Sequence, residues 1–212
     1  MKKLLAVTVL AAVTSSLTVA QAQDFQQYVS AKAVLNHVNN KFEATMGDES
    51  DSLKKSKNVG GFRLAYGAIF PAGDNNVRAE IEYGYNGKVK LSEHFEDGDY
   101  ADSKTKSQAV MLNGYFDFNT GTAFTPYVGA GLGYARLKNT LSDDEGSISK
   151  SKGNFAWQVG AGVSYAVNSN VDIDLAYRFM DYGKVKHNFG DGANLKVKQR
   201  GNEFSLGVRY NF

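Results

Sequence analysis

The chain has 212 residues with 22 Gly, 2 Pro, 12 Tyr, 13 Phe and no Cys, a composition that suits one β-rich domain and excludes disulfides, thiolate metal sites and thiol nucleophiles. Its mean hydropathy of −0.36 is too low for a bundle of membrane helices, but suits a membrane β-barrel, whose strands are only half apolar. A formal charge of +2 gives no reason to expect nucleic acid as a partner.

Met1-Lys2-Lys3, the apolar run Leu4 to Val13, a more polar stretch and Ala20-Gln21-Ala22 form the three parts of a secretory signal. Cleavage is predicted after Ala22, leaving 23–212 as the mature domain. The apolar run is roughly half the ~20 residues that a membrane-spanning helix needs. Loss of Lys2 and Lys3 takes the 24 basic residues to 22, level with the 22 acidic ones, so the mature chain is formally neutral.

Eight segments of alternating polarity follow, separated by polar stretches that are alternately long and short. The first, Phe25 to His37, sets Val29, Ala31, Ala33 and Leu35 against Ser30, Lys32 and Asn36. After the long stretch 38–58, Val59 to Phe70 sets Phe62, Leu64, Tyr66, Ala68 and Phe70 against Gly61, Arg63, Ala65 and Gly67. Pro71 to Asp74 is a tight turn. In the third segment, Val77 to Gly87, Val77, Ala79, Ile81, Tyr83 and Tyr85 alternate with Arg78, Glu80, Glu82, Gly84 and Asn86.

The long stretch 88–107 leads to Gln108–Phe118, where Val110, Leu112, Phe116 and Phe118 face away from Met111, Asn113, Tyr115 and Asp117. A short turn, 119–123, precedes Phe124–Leu137, with Val128, Ala130, Leu132 and Tyr134 outward and Gly129, Gly131 and Gly133 between them. Beyond the long stretch 138–153, Asn154–Val167 sets Phe155, Trp157, Val159, Ala161, Val163 and Tyr165 against Gln158, Gly160, Gly162 and Ser164. Asn168 to Asn170 is read as the shortest turn. Val171–Tyr182 then sets Val171, Ile173, Leu175, Tyr177 and Phe179 against Asp172, Asp174, Ala176 and Arg178. The last long stretch, 183–200, enters the closing segment, in which Phe204, Leu206, Val208, Tyr210 and Phe212 alternate with Glu203, Ser205, Gly207, Arg209 and Asn211.

An even strand count with connections alternately long and short predicts an all-β fold: an eight-stranded antiparallel up-and-down transmembrane barrel with long extracellular loops and short periplasmic turns. A soluble eight-stranded barrel would carry the inverse dressing, an apolar lumen and a charged exterior. Here the aromatic face is the uncharged one, so the predicted partner of the exterior is outer-membrane lipid. Phe70, Phe116, Phe118, Tyr165, Tyr210 and Phe212 are expected in a periplasmic girdle, and Tyr85, Tyr134, Trp157 and Phe179 in an outer one. The closing segment is expected to pair with the first near Tyr28 to Leu35.

The opposite parity puts Lys32, Arg63, Arg78, Arg178 and Arg209 in the lumen with Glu80, Glu82, Asp117, Asp172, Asp174 and Glu203. Side chains fill a barrel of this size, so these charges are expected to pair as a network. A narrow pore lined by charge is the alternative. An enzyme is not expected: His37, His94 and His187 lie far apart, and Ser205 beside Glu203 has no evident histidine partner for lipid hydrolysis. No metal or cofactor is expected either. The acidic runs Glu96–Asp102 and Asp143–Glu145 lack calcium-loop spacing and are flanked by lysines at 88, 90, 104, 106, 138, 150 and 152.

Tyr115-Phe-Asp-Phe118, Phe124-Thr-Pro-Tyr-Val-Gly-Ala-Gly-Leu-Gly-Tyr134, Ala176-Tyr-Arg-Phe179 with Tyr182-Gly-Lys-Val185, and Gly207-Val-Arg-Tyr-Asn-Phe212 resemble the opacity proteins of Gram-negative bacteria, within the wider group of small barrels like the membrane domain of outer-membrane protein A. The resemblance covers the strands and leaves out the long connections. It implies an opacity-family porin of the outer membrane whose surface loops bind host-cell receptors or proteoglycans, as in the best-known members. It carries over no receptor-binding residue. Stretches 38–58, 88–107 and 138–153 are where such a surface would lie. The closing segment, from Phe204 to the terminal Phe212, also resembles the signal read by the outer-membrane assembly machinery.

Overall fold

The computed structural model describes residues 25–46, 49–94, 100–142, 147–190 and 193–212. The predicted signal at 1–22 lies outside the described residues. Eight strands follow one another: β1 (Gln26–Met46), β2 (Glu49–Ala72), β3 (Asn75–His94), β4 (Tyr100–Asp117), β5 (Phe124–Ser142), β6 (Ser147–Ala166), β7 (Val171–Gly190) and β8 (Ala193–Asn211). Each pairs antiparallel with its neighbours, and β8 closes on β1. The closing register runs from Tyr28 opposite Asn211 through Leu35 opposite Phe204, the pairing expected from the sequence.

Alternation decides which side chains enter the barrel. Val29, Leu35, Phe62, Leu64, Leu112, Leu132, Trp157, Leu175 and Leu206 stand exposed on the outer wall, while Lys32, Arg63, Arg78, Glu80, Asn113 and Gln158 are buried inside. The outward aromatics gather in two bands. Near the short turns, Phe25 stacks on Phe70, Phe116 meets Phe118 edge-on, and Phe124 meets Tyr165 at a tilt. Nearer the other end, Trp157 meets Phe179, Tyr177 meets Phe204, and Phe62 meets Tyr85.

The long polar stretches are built differently from irregular loops. The strands run 18 to 24 residues, about twice the 9–11 that cross a bilayer, because each long connection is a hairpin whose rungs stay paired toward its tip. β1 and β2 remain in register out to Met46 opposite Glu49, and β5 and β6 out to Ser142 opposite Ser147. Register breaks occur between Asn86 and Val89 on β3, and between Asp181 and Lys184 on β7. The latter surrounds Gly183, whose φ of 83° is left-handed and whose N–H donates to the Asp181 carboxylate at 2.9 Å.

At the opposite end the connections are tight. Gly73, with φ 64°, and Asp74 join Ala72 to Asn75, which makes this turn, rather than 168–170, the shortest. In the latter the Asn168 side chain accepts from the N–H groups of Asn170 and Val171, both at 2.9 Å.

Candidate functional site: the charged lumen and the outer hairpins

A ring of eight strands leaves little interior room, so a bulky inward residue needs a small one across the sheet. Tyr28 lies opposite Gly67, Tyr115 opposite Gly129, and Tyr127 opposite Gly162. A Cβ at Gly67 or Gly162 would come within 2.5 Å of the tyrosine ring it faces. Lys32 likewise lies across from Gly207, Arg63 from Gly84 and Arg178 from Gly160.

Within that packing the inward charges come together in two tiers. In the tier nearer the short turns, Arg78 Nε donates to Asp117 at 2.7 Å, and its guanidinium lies 4.7 Å from the Tyr115 ring centre and 4.6 Å from that of Tyr127, a cation–π arrangement. Arg209 pairs with Asp172 at 3.0 Å and approaches Asp174 at 3.8 Å. Glu80 accepts from the hydroxyls of Tyr28 and Tyr115 at 2.8 Å each and from Asn113 Nδ2 at 3.1 Å. Lys32 stands off at 4.0 Å.

The second tier centres on Glu203, which is fully buried. It accepts from Arg178 Nε at 2.6 Å, from Asn36 Nδ2 at 2.9 Å, and from Arg63 and the Tyr182 hydroxyl. Arg178 also donates to Glu82 at 2.8 Å. Asn86 links Arg63 and Tyr182 at 2.8 and 2.7 Å.

All eleven predicted lumen residues therefore face inward; ten are buried and Asp172 is half-buried at the rim. Parity alone does not reveal which neutral residues donate to the carboxylates, Tyr28, Tyr182, Asn36 and Asn113, although each has inward parity in its segment. Met111, which parity places inward, joins Leu137, Met180 and Val185 in an apolar inward cluster. The void among Lys32, Tyr115, Gln158, Arg178 and Ser205 is about 20 Å³, room for roughly one water molecule.

Phe204, Leu206, Val208, Tyr210 and Phe212 all point outward, with exposures between 49% and 58%. His37 and Ser205 occupy opposite faces of the wall: His37 is exposed and contacts Asn58 at 2.7 Å, whereas Ser205 is buried in the lumen. Of the acidic runs, residues 95–99 and 143–146 lie outside the described residues.

Above the outer aromatic band the described hairpin side chains include Lys41, Lys54, Lys196 and Lys198. Lys41 pairs with Glu43 at 2.8 Å, and Lys196 bonds to the same carboxylate from β8. Those two ammonium hydrogen bonds, from Lys196 first and then Lys41, hold the Glu43 carboxyl down to about 2.

The family profile described as "Outer membrane protein beta-barrel domain" matches residues 6–212. The chain belongs to that family. This outer-membrane barrel is similar to outer membrane protein PagN of Salmonella typhimurium, at 36% identity over 156 residues. That match covers 64% of this chain and 65% of PagN. It is also similar to a provisionally named adhesin of Rickettsia typhi, 28% identical over 232 residues and 99% of each chain. Among solved structures it is similar to Neisserial surface protein A, with TM-score 0.53, 26% identity, and coverage of 90% of this chain and 100% of that one. The outer membrane protease OmpT of Escherichia coli shares the fold at TM-score 0.52 but only 8% identity, covering 91% of this chain and 99% of that one. The barrel resides in the outer membrane of a Gram-negative bacterium, with its short turns toward the periplasm and its long hairpins outside.

Removing the Glu203 carboxylate leaves Arg63 and Arg178 to share Glu82, and breaking a buried pair by removing one partner typically costs about 3–5 kcal/mol. Glu203→Ala is expected to lower unfolding stability by that amount. Glu203→Gln keeps an acceptor and is expected to lose less. Urea unfolding of the folded barrel in detergent checks both, and equal stability of Glu203→Ala and the parent contradicts the central role of this carboxylate.

Proposed function

We propose that this outer-membrane barrel is a non-enzymatic surface protein of the opacity type that contacts host-cell receptors or other surface ligands through its outer hairpins. The observation that carries this reading is the length of those hairpins: more than half of β1 and β2 stands beyond the apolar belt, far more chain than anchoring requires. The similarity to an adhesin-named relative along 99% of both chains adds support. Pairing permits a clean test. Deleting 41–54, 88–105 and 139–150, and closing each cut with Asn-Gly, leaves the rungs Asn40–Lys55, Asn86–Ser107 and Lys138–Ser151 intact. Bacteria displaying the trimmed barrel are expected to lose adhesion to cultured epithelial cells while the protein keeps its heat-modifiable gel mobility. Undiminished adhesion sinks the proposal.

The lumen is proposed to be closed by its charge network rather than to serve as a narrow porin. The void of about 20 Å³ supports this, as do the contacts that cross the interior between β3 and β7 and between β2 and β8. Single-channel recording in planar bilayers is expected to show small or no conductance; a large steady conductance overturns the closed lumen.

Residues 1–22 are proposed to be removed on export, and the outward row ending at Phe212 to be read by the assembly machinery, besides contacting lipid. Phe212 has little to hold in the fold: its backbone N–H donates to the Gln27 carbonyl and its ring stacks on that of Tyr210. Its deletion is therefore expected to lower surface abundance while leaving in vitro unfolding nearly unchanged. Normal surface levels would falsify the assembly role.

A further inference from the structure

Neighbouring hairpins are joined to one another unequally. β8 stays paired with β1 as far as Ala193 opposite Met46, and β4 with β5 as far as Asp102 opposite Ser142. The other two seams stop much lower. Among the described residues the β2 to β3 ladder ends at Gly61 opposite Asn86, and the β6 to β7 ladder ends at Trp157 opposite Asp181. All four of these strands nevertheless run on, to Glu49, His94, Ser147 and Gly190. Beyond the last rungs the outer part is therefore two four-stranded sheets, one of β7, β8, β1 and β2, the other of β3, β4, β5 and β6. The two slots between them lie opposite each other across the ring.

Both slots begin at the same kind of irregularity. Just past Asn86, Gly87 and Lys88 of β3 stand against the single residue Lys106 of β4. Just past Asp181, Tyr182 and Gly183 of β7 stand against Gln199 of β8. A bulge of this type bends its strand and increases the local twist, so each bulged strand parts from the neighbour it has just left. The stretches that border the slots, 52–60, 87–90, 147–156 and 182–188, contain lysines and no carboxylate. Lysine along an edge strand opposes the addition of another strand, and here it stands on both sides of each slot.

We propose that the two outer sheets work as a pair of jaws, each keeping its own shape while their separation changes by bending at the bulges on β3 and β7. A four-stranded sheet holds its shape better than a lone hairpin, and hinge motion is absorbed by a few residues. The device belongs to the barrel itself and holds whether or not the hairpins meet a receptor. A ligand that touches both sheets fixes their separation, whereas one that touches a single sheet leaves it free.

The chain has no cysteine, so paired spin labels can report the motion in the full barrel in nanodiscs. Lys54→Cys with Lys184→Cys labels the two outermost strands of one jaw, and Lys54→Cys with Lys138→Cys labels opposite jaws, all at exposed positions. Double electron–electron resonance is expected to give a distance distribution about twice as broad between the jaws as within one. Leu64→Cys with Leu132→Cys, on the same two strands as the inter-jaw pair but below the slots, is expected to give the narrow width. Deleting Gly87 and Gly183 restores one-for-one pairing and is expected to narrow the inter-jaw distribution to the width within a jaw. Equal widths within and between jaws in the parent overturn the proposal, and an inter-jaw width that survives the deletions overturns the bulges as hinges. Should the deletion variant fail to fold, the parent decides through the pair below the slots: the same breadth there as between the jaws rejects a hinge at the bulges.

Discussion

The structure depends on one constraint: within hydrocarbon, no backbone N–H or C=O can be left without a partner. An open eight-stranded sheet would leave two edges, and the pairing of β8 with β1 removes both. Once the ring is closed, its circumference sets an interior only as wide as its side chains. The glycines across from Tyr28, Tyr115 and Tyr127 follow from that width. So does the close approach of inward charges to their counter-charges, as of Arg78 to Asp117 and Arg178 to Glu203.

The resulting contacts brace the cylinder across its diameter. In a ring of eight, β3 and β7 are diametrically opposed, and Arg178 to Glu82 joins them. Arg63 to Glu203 joins β2 to β8, Tyr28 to Glu80 joins β1 to β3, and Gln158 to Asn113 joins β6 to β4. Backbone pairing holds each strand to its neighbours, whereas these side chains hold the barrel's cross-section against flattening. Low dielectric strengthens each contact and also makes each unpaired member expensive.

The facing of every membrane-level residue was legible in the sequence, because lipid on one side and a polar lumen on the other impose period two. Strand length was not. Alternation stops near His37, Gly87 and Tyr182, yet β1, β3 and β7 run on to Met46, His94 and Gly190. Beyond the belt both faces of a hairpin can meet water, so the contrast that marks a strand vanishes while backbone pairing continues. On β3 and β7 the fading pattern also coincides with register breaks after Asn86 and Asp181, which shift parity. Membership of the charge network was readable from parity for Glu80 and Glu203. Their partners were not, because Tyr28 and Glu80 are 52 residues apart, and only the ring's closure brings them face to face.

Hairpins paired almost to their ends also change what binding costs. An irregular loop of the same length would surrender backbone freedom on meeting a ligand, at roughly 1–2 kcal/mol for each residue it must fix. The rungs from Val38 opposite Lys57 to Phe42 opposite Leu53 are already ordered by the fold, so that entropy is lost during folding rather than on contact. A partner of the hairpins, as proposed, would meet a surface whose shape is set in advance, so that modest contacts would suffice for useful affinity.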